Sequence, residues 1–455
     1  MTIRQKAVIT AACSFIFTSL SGLAWSAVTA EEAARLKTTL TPLGGEKAGN
    51  KEGTIPAWTG GLTQAPAGYK NGAPRPDFFP DEKPILVITG KNVDQYADKL
   101  GETTKALLKK YPDYRVDVYP THRTAAAPQW VYDNTFKNAT RATTSKGGEK
   151  MENAFGGAPF PIPKTGSEAL WNARTAWSGE DSVVPATTWI VTAQGKRLMA
   201  SKYETWFSYP YYTKDGNPEK FDGFYAKYKL LTQEPASKAG EGLLNWQAAE
   251  SDKTDVWQYL VGQRRVRRSP SVAYDTPNFI TSGIGFFDES FGLYGPTDRH
   301  EAKLIGKKEM YVPYNANKAA LATPEQLVGP KFLNPDLVRW ELHRVWVVEA
   351  TLREGKRHVV PKRVYYIDED SWNILMIDGW DAKGELWRGQ YVLPLLAPDI
   401  PALIGNIVNW GSYNVQTGEY YLSVATVGQP TQFRIEPRRP DGFWTPESMA
   451  NEGAR

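Results

Sequence analysis

Apolar and polar residues alternate with a period of two over long stretches after residue 188, which is the mark of half-buried strands. The pattern predicts strands over 188–192, 202–209, 224–231, 256–266, 303–312, 341–352, 358–367, 372–380, 386–393 and 420–427. Between the later ones lie only short polar turns: Glu354-Gly355-Lys356, Asp368-Glu369-Asp370 and Asp381 to Gly384. Short turns between alternating segments predict an antiparallel meander, so 341–393 should form consecutive neighbours in one sheet. Helical spacing is rarer. It predicts helices over 31–40, over 92–111 with Asn92 as the cap and Pro112 as the stop, and over 168–174, with a helix-like interruption at 398–410. The polar, glycine-containing stretch 138–157 reads as a mobile loop. Residues 43–84 are rich in Gly and Pro yet carry Trp58, Tyr69, Phe78 and Phe79, so they read as an extended arm packed on the body rather than a linker.

These elements imply a mainly β (α+β) protein: a large curved antiparallel sheet or half-barrel with covering helices. Composition agrees. The 16 Trp, 23 Tyr and 17 Phe beside 39 Gly and 32 Pro suit strands joined by many turns. Residues 1–30 have the layout of a secretory signal, with Arg4 and Lys6 before an apolar stretch and small residues after it, and cleavage is expected after Ala24 or after Ala30. The sole cysteine, Cys13, lies inside that stretch, where a lipidated cysteine would have ended it; the mature chain then has no thiol and no disulfide. Loss of Arg4 and Lys6 takes the net charge from +4 to +2, which argues against a nucleic-acid partner. Charged residues on both faces of 264–268 and 303–308 argue against a lipid-facing barrel. The expected organisation is a signal (1–30), an N-terminal arm and helix (31–115) and a β body with a polar tail (116–455), exported to the periplasm.

The most distinctive run is 257–268, WQYLVGQRRVRR, in which an aromatic, branched start leads into four arginines. As one strand it would put Trp257, Tyr259, Val261, Gln263, Arg265 and Arg267 on one face and Leu260, Arg264, Val266 and Arg268 on the other. Arg264, Arg265, Arg267 and Arg268 are therefore candidates for contact with an anionic headgroup or an acceptor surface, since guanidinium binds phosphate and carboxylate bidentately. An exposed or cross-strand-paired basic strand is the simpler explanation, since most charged strand ends are solvated or paired. Trp257, Tyr259 and Trp346 are candidates for lining an apolar cavity, against plain core packing. Four histidines without helical ligand spacing make a histidine metal site unexpected, and the acidic turns lack the spacing of a calcium loop. No nucleophile elbow, phosphate-binding loop or zincin motif occurs, so no catalytic residue and no cofactor are expected.

The segments 40–50 (LTPLGGEKAGN), 53–61 (GTIPAWTGG), 156–163 (GGAPFPIP), 261–268 (VGQRRVRR), 306–314 (GKKEMYVPY) and 341–349 (ELHRVWVVE) together resemble the DUF1329 family. These are exported Gram-negative proteins, commonly described as outer-membrane lipoprotein-sorting proteins. The family is similar to the LolA/LolB carriers, so the resemblance implies a LolA/LolB-like sheet enclosing an apolar cavity, and traffic of lipid or lipoprotein in the envelope. Its members often neighbour genes for an RND-type exporter and a DUF1302 outer-membrane protein, which the resemblance offers as partners. The expected function is a carrier that hands an apolar ligand on without chemistry. The alternative is an envelope hydrolase or polysaccharide binder using aromatic platforms.

Overall fold

The computed structural model describes residues 27–269, 272, 274–405, 407–424 and 431–453. The expected signal segment up to Ser26, with Cys13, lies outside the described residues. Four of the alternating stretches become the strands Trp340–Leu352, Lys362–Asp368, Ile374–Trp380 and Leu386–Val392, each antiparallel to the next. The meander continues through Asn409–Asn414 to Tyr420–Val424, then pairs with Asp181–Val191 from the first half of the chain. From there Arg197–Ser208, Phe224–Glu234, Gly242–Ala248 and Asp255–Leu260 follow in order, and Arg265–Arg268 forms the edge. The sheet has 16 strands and does not close. It is mixed because Trp340 pairs in parallel with Val118, which attaches the hairpin Leu86–Thr89 and Arg115–Val118. His300–Pro313 lies antiparallel along the other side of Trp340–Leu352.

Elements cover both faces. On one, the helix Gly166–Arg174 buries Leu170 and Trp171, and its start is fixed by a capping box between Thr165 and Glu168. Phe287 and Tyr294, from the connection that precedes His300, pack beside it against Tyr203, Leu230 and Val256. The other face carries the helix Glu102–Lys110 and, further along, the C-terminal helix Pro446–Gly453, which buries Met449 against Leu244 and Tyr259. The stretch 38–85 carries no helix or strand and packs on this frame. Ile55 is buried, the Trp58 indole donates to the Ala125 carbonyl, and fully buried Arg75 holds Asp399 with two bonds of 2.8 and 2.7 Å. No helix among the described residues is long and apolar enough to cross a membrane.

Four local expectations need correction. The 256–266 stretch is not one strand: it turns at Val261–Gln263 and returns as a hairpin. The predicted 92–111 helix breaks at Leu100, whose backbone is extended, leaving a 3-10 segment Val93–Lys99 and the α-helix Glu102–Lys110. The 398–410 interruption is a small hairpin, Leu395–Ala397 with Ala402–Ile404. The 138–157 stretch is held down by one residue. Buried Asn138 accepts from the Phe155 N–H at 3.1 Å and donates to the carbonyls of Phe155, Gly157 and Ala158 at 3.2 Å each, on a helix, Gln129–Arg141, that alternation did not signal.

Candidate ligand cleft and the buried charge network

The helix Glu102–Lys110 turns Thr103, Thr104, Leu107 and Leu108 inward and its lysines outward, the stripe expected of a helix lying on a sheet. Its N-cap is Gly101, which has no side chain to receive the first free N–H groups. Asp378, on the strand beneath, supplies the missing acceptor, taking the N–H of Glu102 at 2.7 Å and of Thr103 at 2.9 Å, while the Tyr366 hydroxyl donates to it at 2.9 Å. Burial pushes the Asp378 carboxyl up, and these donors act against that rise. Gly389 lets the helix come close: a Cβ there would lie 2.1 Å from Thr103.

Between this helix, the sheet and the 313–338 connection lies an apolar cleft. Leu107, Tyr114, Leu333, Trp340, Met376 and Tyr413 are among its walls, and about 40 Å³ inside it is free. That is room for one or two waters, not for an acyl chain, so the helix closes the space as it stands.

The expected site residues fall in three places. Arg265, Val266, Arg267 and Arg268 pair with Leu260, Tyr259, Gln258 and Trp257, so Arg265 and Arg267 share one face and Arg268 joins Trp257 and Tyr259 on the other. This replaces the facing expected from an unbroken strand. Arg264 sits in the turn with a left-handed backbone at φ 50°, a conformation unfavourable for a side chain with a Cβ. Arg268 is ion-paired with Asp255, and the Arg265 guanidinium donates to Gln263 at 3.3 Å. All four arginines are exposed, three on the edge strand and Arg264 in the turn before it. Tyr259 is packed rather than lining space, buried with Leu244, Trp444 and Met449, and Trp257 makes an edge contact with Trp246 beside it. Trp346 lies elsewhere, stacked on Trp372 with the Lys307 ammonium 4.7 Å from its ring, and borders an open pocket of about 560 Å³ with Leu40, Pro161 and Ile162. The three aromatics do not share a cavity.

Sequence reasoning missed a buried ionic network where the N-terminal arm meets the sheet. Glu341 accepts from Arg339 at 2.5 Å and contacts His343 at 3.0 Å. Asp370 takes both arms of Arg123, at 2.8 and 2.6 Å, and Glu369 pairs with Lys307 at 2.7 Å and Arg344 at 3.2 Å. Arg123 also donates to the Glu46 carbonyl and Arg344 to that of Ala48, so the arm is tied in through its backbone. Burial works against ionised Glu341, yet His343 and Arg339 hold it below the usual carboxylate range. Asp368 differs: burial, then the neighbouring Asp370, push it up to about 6. The turn 368–370 reads in sequence as a solvated acidic turn, and only tertiary contact shows that it is interior.

A second network pins the connection before His300 to the sheet. Asp288 meets Arg363 at 2.6 Å and His358 at 2.9 Å, and Glu289 takes both arms of Arg388 at 2.7 Å.

An open, mostly antiparallel sheet with short helices laid on both faces defines a mainly β (α+β) protein. The chain belongs to the DUF1329 family, a protein family of unknown function, whose model matches residues 87–450. It is 41% identical over 371 residues to the uncharacterized protein PA3922 of Pseudomonas aeruginosa, covering 80% of this chain and 81% of that one. Solved structures similar to it include a domain from Vibrio parahaemolyticus described as an outer membrane lipoprotein-sorting protein (14% identity, 62% of this chain and 97% of that one, TM-score 0.41). Others are a DUF1329 family protein from Desulfovibrio piger (16%, 62% and 95%, TM-score 0.40) and a LolA superfamily protein from Nitrosomonas europaea (10%, 62% and 98%, TM-score 0.36).

Proposed function

We propose that the protein is a periplasmic carrier that takes a lipid, an acylated protein or another apolar ligand into the cleft under the helix Glu102–Lys110 and hands it on within the envelope. The observation that carries this reading is the cleft itself. It is walled mainly by aliphatic and aromatic side chains, with Thr103, Thr104, Arg115, Asp378 and Gln390 completing the lining, and covered by a short helix whose first turn is held by a carboxylate from the sheet, Asp378. Shielding an acyl chain there gains about 25 cal/mol per Å² of apolar surface removed from water, without any bond being made or broken. The helix leaves, the chain enters against Leu107, Met376 and Tyr413, and release reverses the motion.

The basic hairpin belongs to delivery rather than to holding. It stands at the far edge of the sheet order, seven strands beyond Asn409–Asn414, which is roughly 30 Å along the sheet at the usual strand spacing. From there Arg264, Arg265 and Arg267 meet an anionic acceptor surface, and an RND-type exporter or a DUF1302 outer-membrane protein is the partner this reading favours. The test is titration of the full chain with a fluorescent fatty-acyl probe. Leu107→Phe, which puts a ring into the free volume, is expected to weaken the probe at least tenfold while Tm shifts by a few degrees at most. Probe binding that is unchanged by Leu107→Phe would rule the cleft out as the place where cargo is held.

A further inference from the structure

Inside the network where the arm meets the sheet, one carboxylate stands apart. Glu341, Glu369 and Asp370 each have a lysine or arginine partner, whereas Asp368 has none among the described residues. Asp368 is fully buried. Its Oδ2 accepts from the Tyr314 hydroxyl at 3.0 Å, from the Ser371 N–H at 2.9 Å and from the Ser371 hydroxyl at 2.6 Å, but its Oδ1 has no hydrogen-bond partner. A buried, unpaired carboxylate oxygen is strongly unfavourable unless something cationic meets it.

His343 and Asp370 complete the surroundings. One ligand-capable atom from each of His343, Asp368 and Asp370 lies within 4.8 Å of the other two. His343 is stacked on Tyr314 at 3.6 Å and its Nε2 lies against ionised Glu341. A ring set against a carboxylate through Nε2 is the arrangement common around bound metals, and in it Nδ1 would be the ligand atom. Asp370 is fixed in the same way by Arg123. Donors around one ion with bonds near 2.1 Å lie roughly 3–4 Å apart, so small side-chain movements bring this set onto a common centre.

We propose that His343, Asp368 and Asp370 bind a divalent transition-metal cation, of the zinc or manganese kind, that joins the N-terminal arm to the sheet. One nitrogen and two carboxylate oxygens are borderline-hard donors, which suit these ions better than calcium, whose sites draw six to eight oxygens. The cation gives Asp368 the positive partner that its neighbours already have. Because Arg123 bridges Asp370 to the backbone of Glu46, metal occupancy stiffens the anchor of the 38–61 stretch.

The experiment uses the full chain purified without chelator. Elemental analysis is expected to find close to one zinc or manganese per chain. EDTA is expected to lower Tm, and zinc or manganese to restore it. Asp368→Asn and His343→Gln should each weaken the metal at least tenfold and abolish the EDTA response, while His122→Gln, on the opposite flank of the network beside Glu82, keeps both. A wild-type protein with no metal and a Tm indifferent to EDTA, zinc and manganese would overturn the proposal, and would mean that Asp368 is simply protonated. Survival of the metal response in both ligand variants would overturn it equally. Should neither variant fold, the wild-type measurements decide alone.

Discussion

At the scale of single residues, the edge hairpin and the helix anchor give the sharpest expectations. Arg264 holds a left-handed backbone at φ 50°, which glycine adopts without a Cβ clash, so Arg264→Gly is expected to stabilise the protein by about 0.5–1 kcal/mol. Were 256–266 a continuous strand, the same change would destabilise it; chemical denaturation distinguishes the two. Arg265→Gln with Arg267→Gln should leave Tm within about 2 °C while weakening adsorption to anionic vesicles, because neither side chain is ion-paired among the described residues. Asp378→Ala removes the acceptor for two N–H groups of the helix start, and is expected to cost about 1–2 kcal/mol. If Asp378 is the latch, the variant also takes up acyl probe faster. Tyr259→Ala, in contrast, cuts into packing under the C-terminal helix and should cost about 3 kcal/mol with no effect on the probe. The arginines are conspicuous in the sequence as chemistry, but their facing is not, because a four-residue turn, 261–264, with no Asn-Gly or Asp-Gly marker reverses the strand.

At the scale of elements, the connection that ends at His300 is clamped by groups that titrate. Burial, with Arg363 and His358 nearby, brings His300 down to about 4, and only the Val360 carbonyl and Asp288 favour its charged form. The unfolded chain takes up this proton near pH 6.5 and the folded chain refuses it until about pH 4, so stability is full above pH 6.5 and falls as the pH drops through that window. The loss is on the order of 3 kcal/mol by pH 4. Asp288 adds to it lower down. Burial alone would raise this carboxyl, but Arg363 and His358 hold it well below the usual range, so its contribution is present above about pH 4 and lost beneath. Melting curves between pH 4 and 7 should show this acid limb, and His300→Gln should flatten its upper part; a flat wild-type profile would contradict the clamp.

Legibility in the sequence divides along the same lines. The four strands from Trp340 to Val392 are readable from branched and aromatic runs set between short polar turns, although most of their residues are buried. Gly242–Ala248 is not legible in the same way, because Gly-Leu-Leu-Asn-Trp-Gln-Ala has no β-branched residue and no period-two alternation. The helix over the cleft was read too long, since nothing in its apolar spacing shows that Leu100 is extended. Neither ionic network was readable. His343 and Asp368 come from different strands, and Arg123 and Asp370 are 247 residues apart, so no local spacing records their meeting.

For the whole molecule, the order of strands joins two stretches of chain, 181–268 and 340–424, through the pairing of Tyr420–Val424 with Asp181–Val191. The sheet wall of the cleft lies in the second stretch and the arginine edge in the first. In the proposed carrier, the surface offered to an acceptor is thus separated from the space for cargo by most of the sheet. The most direct test of a carrier role is native mass spectrometry of the full chain isolated from its own envelope in a mild detergent. A carrier should show added mass from a bound lipid or acyl chain, released by gentle activation and reduced in Leu107→Phe. Spectra showing only the bare polypeptide, from preparations in which a known envelope carrier retains its lipid, would contradict that role.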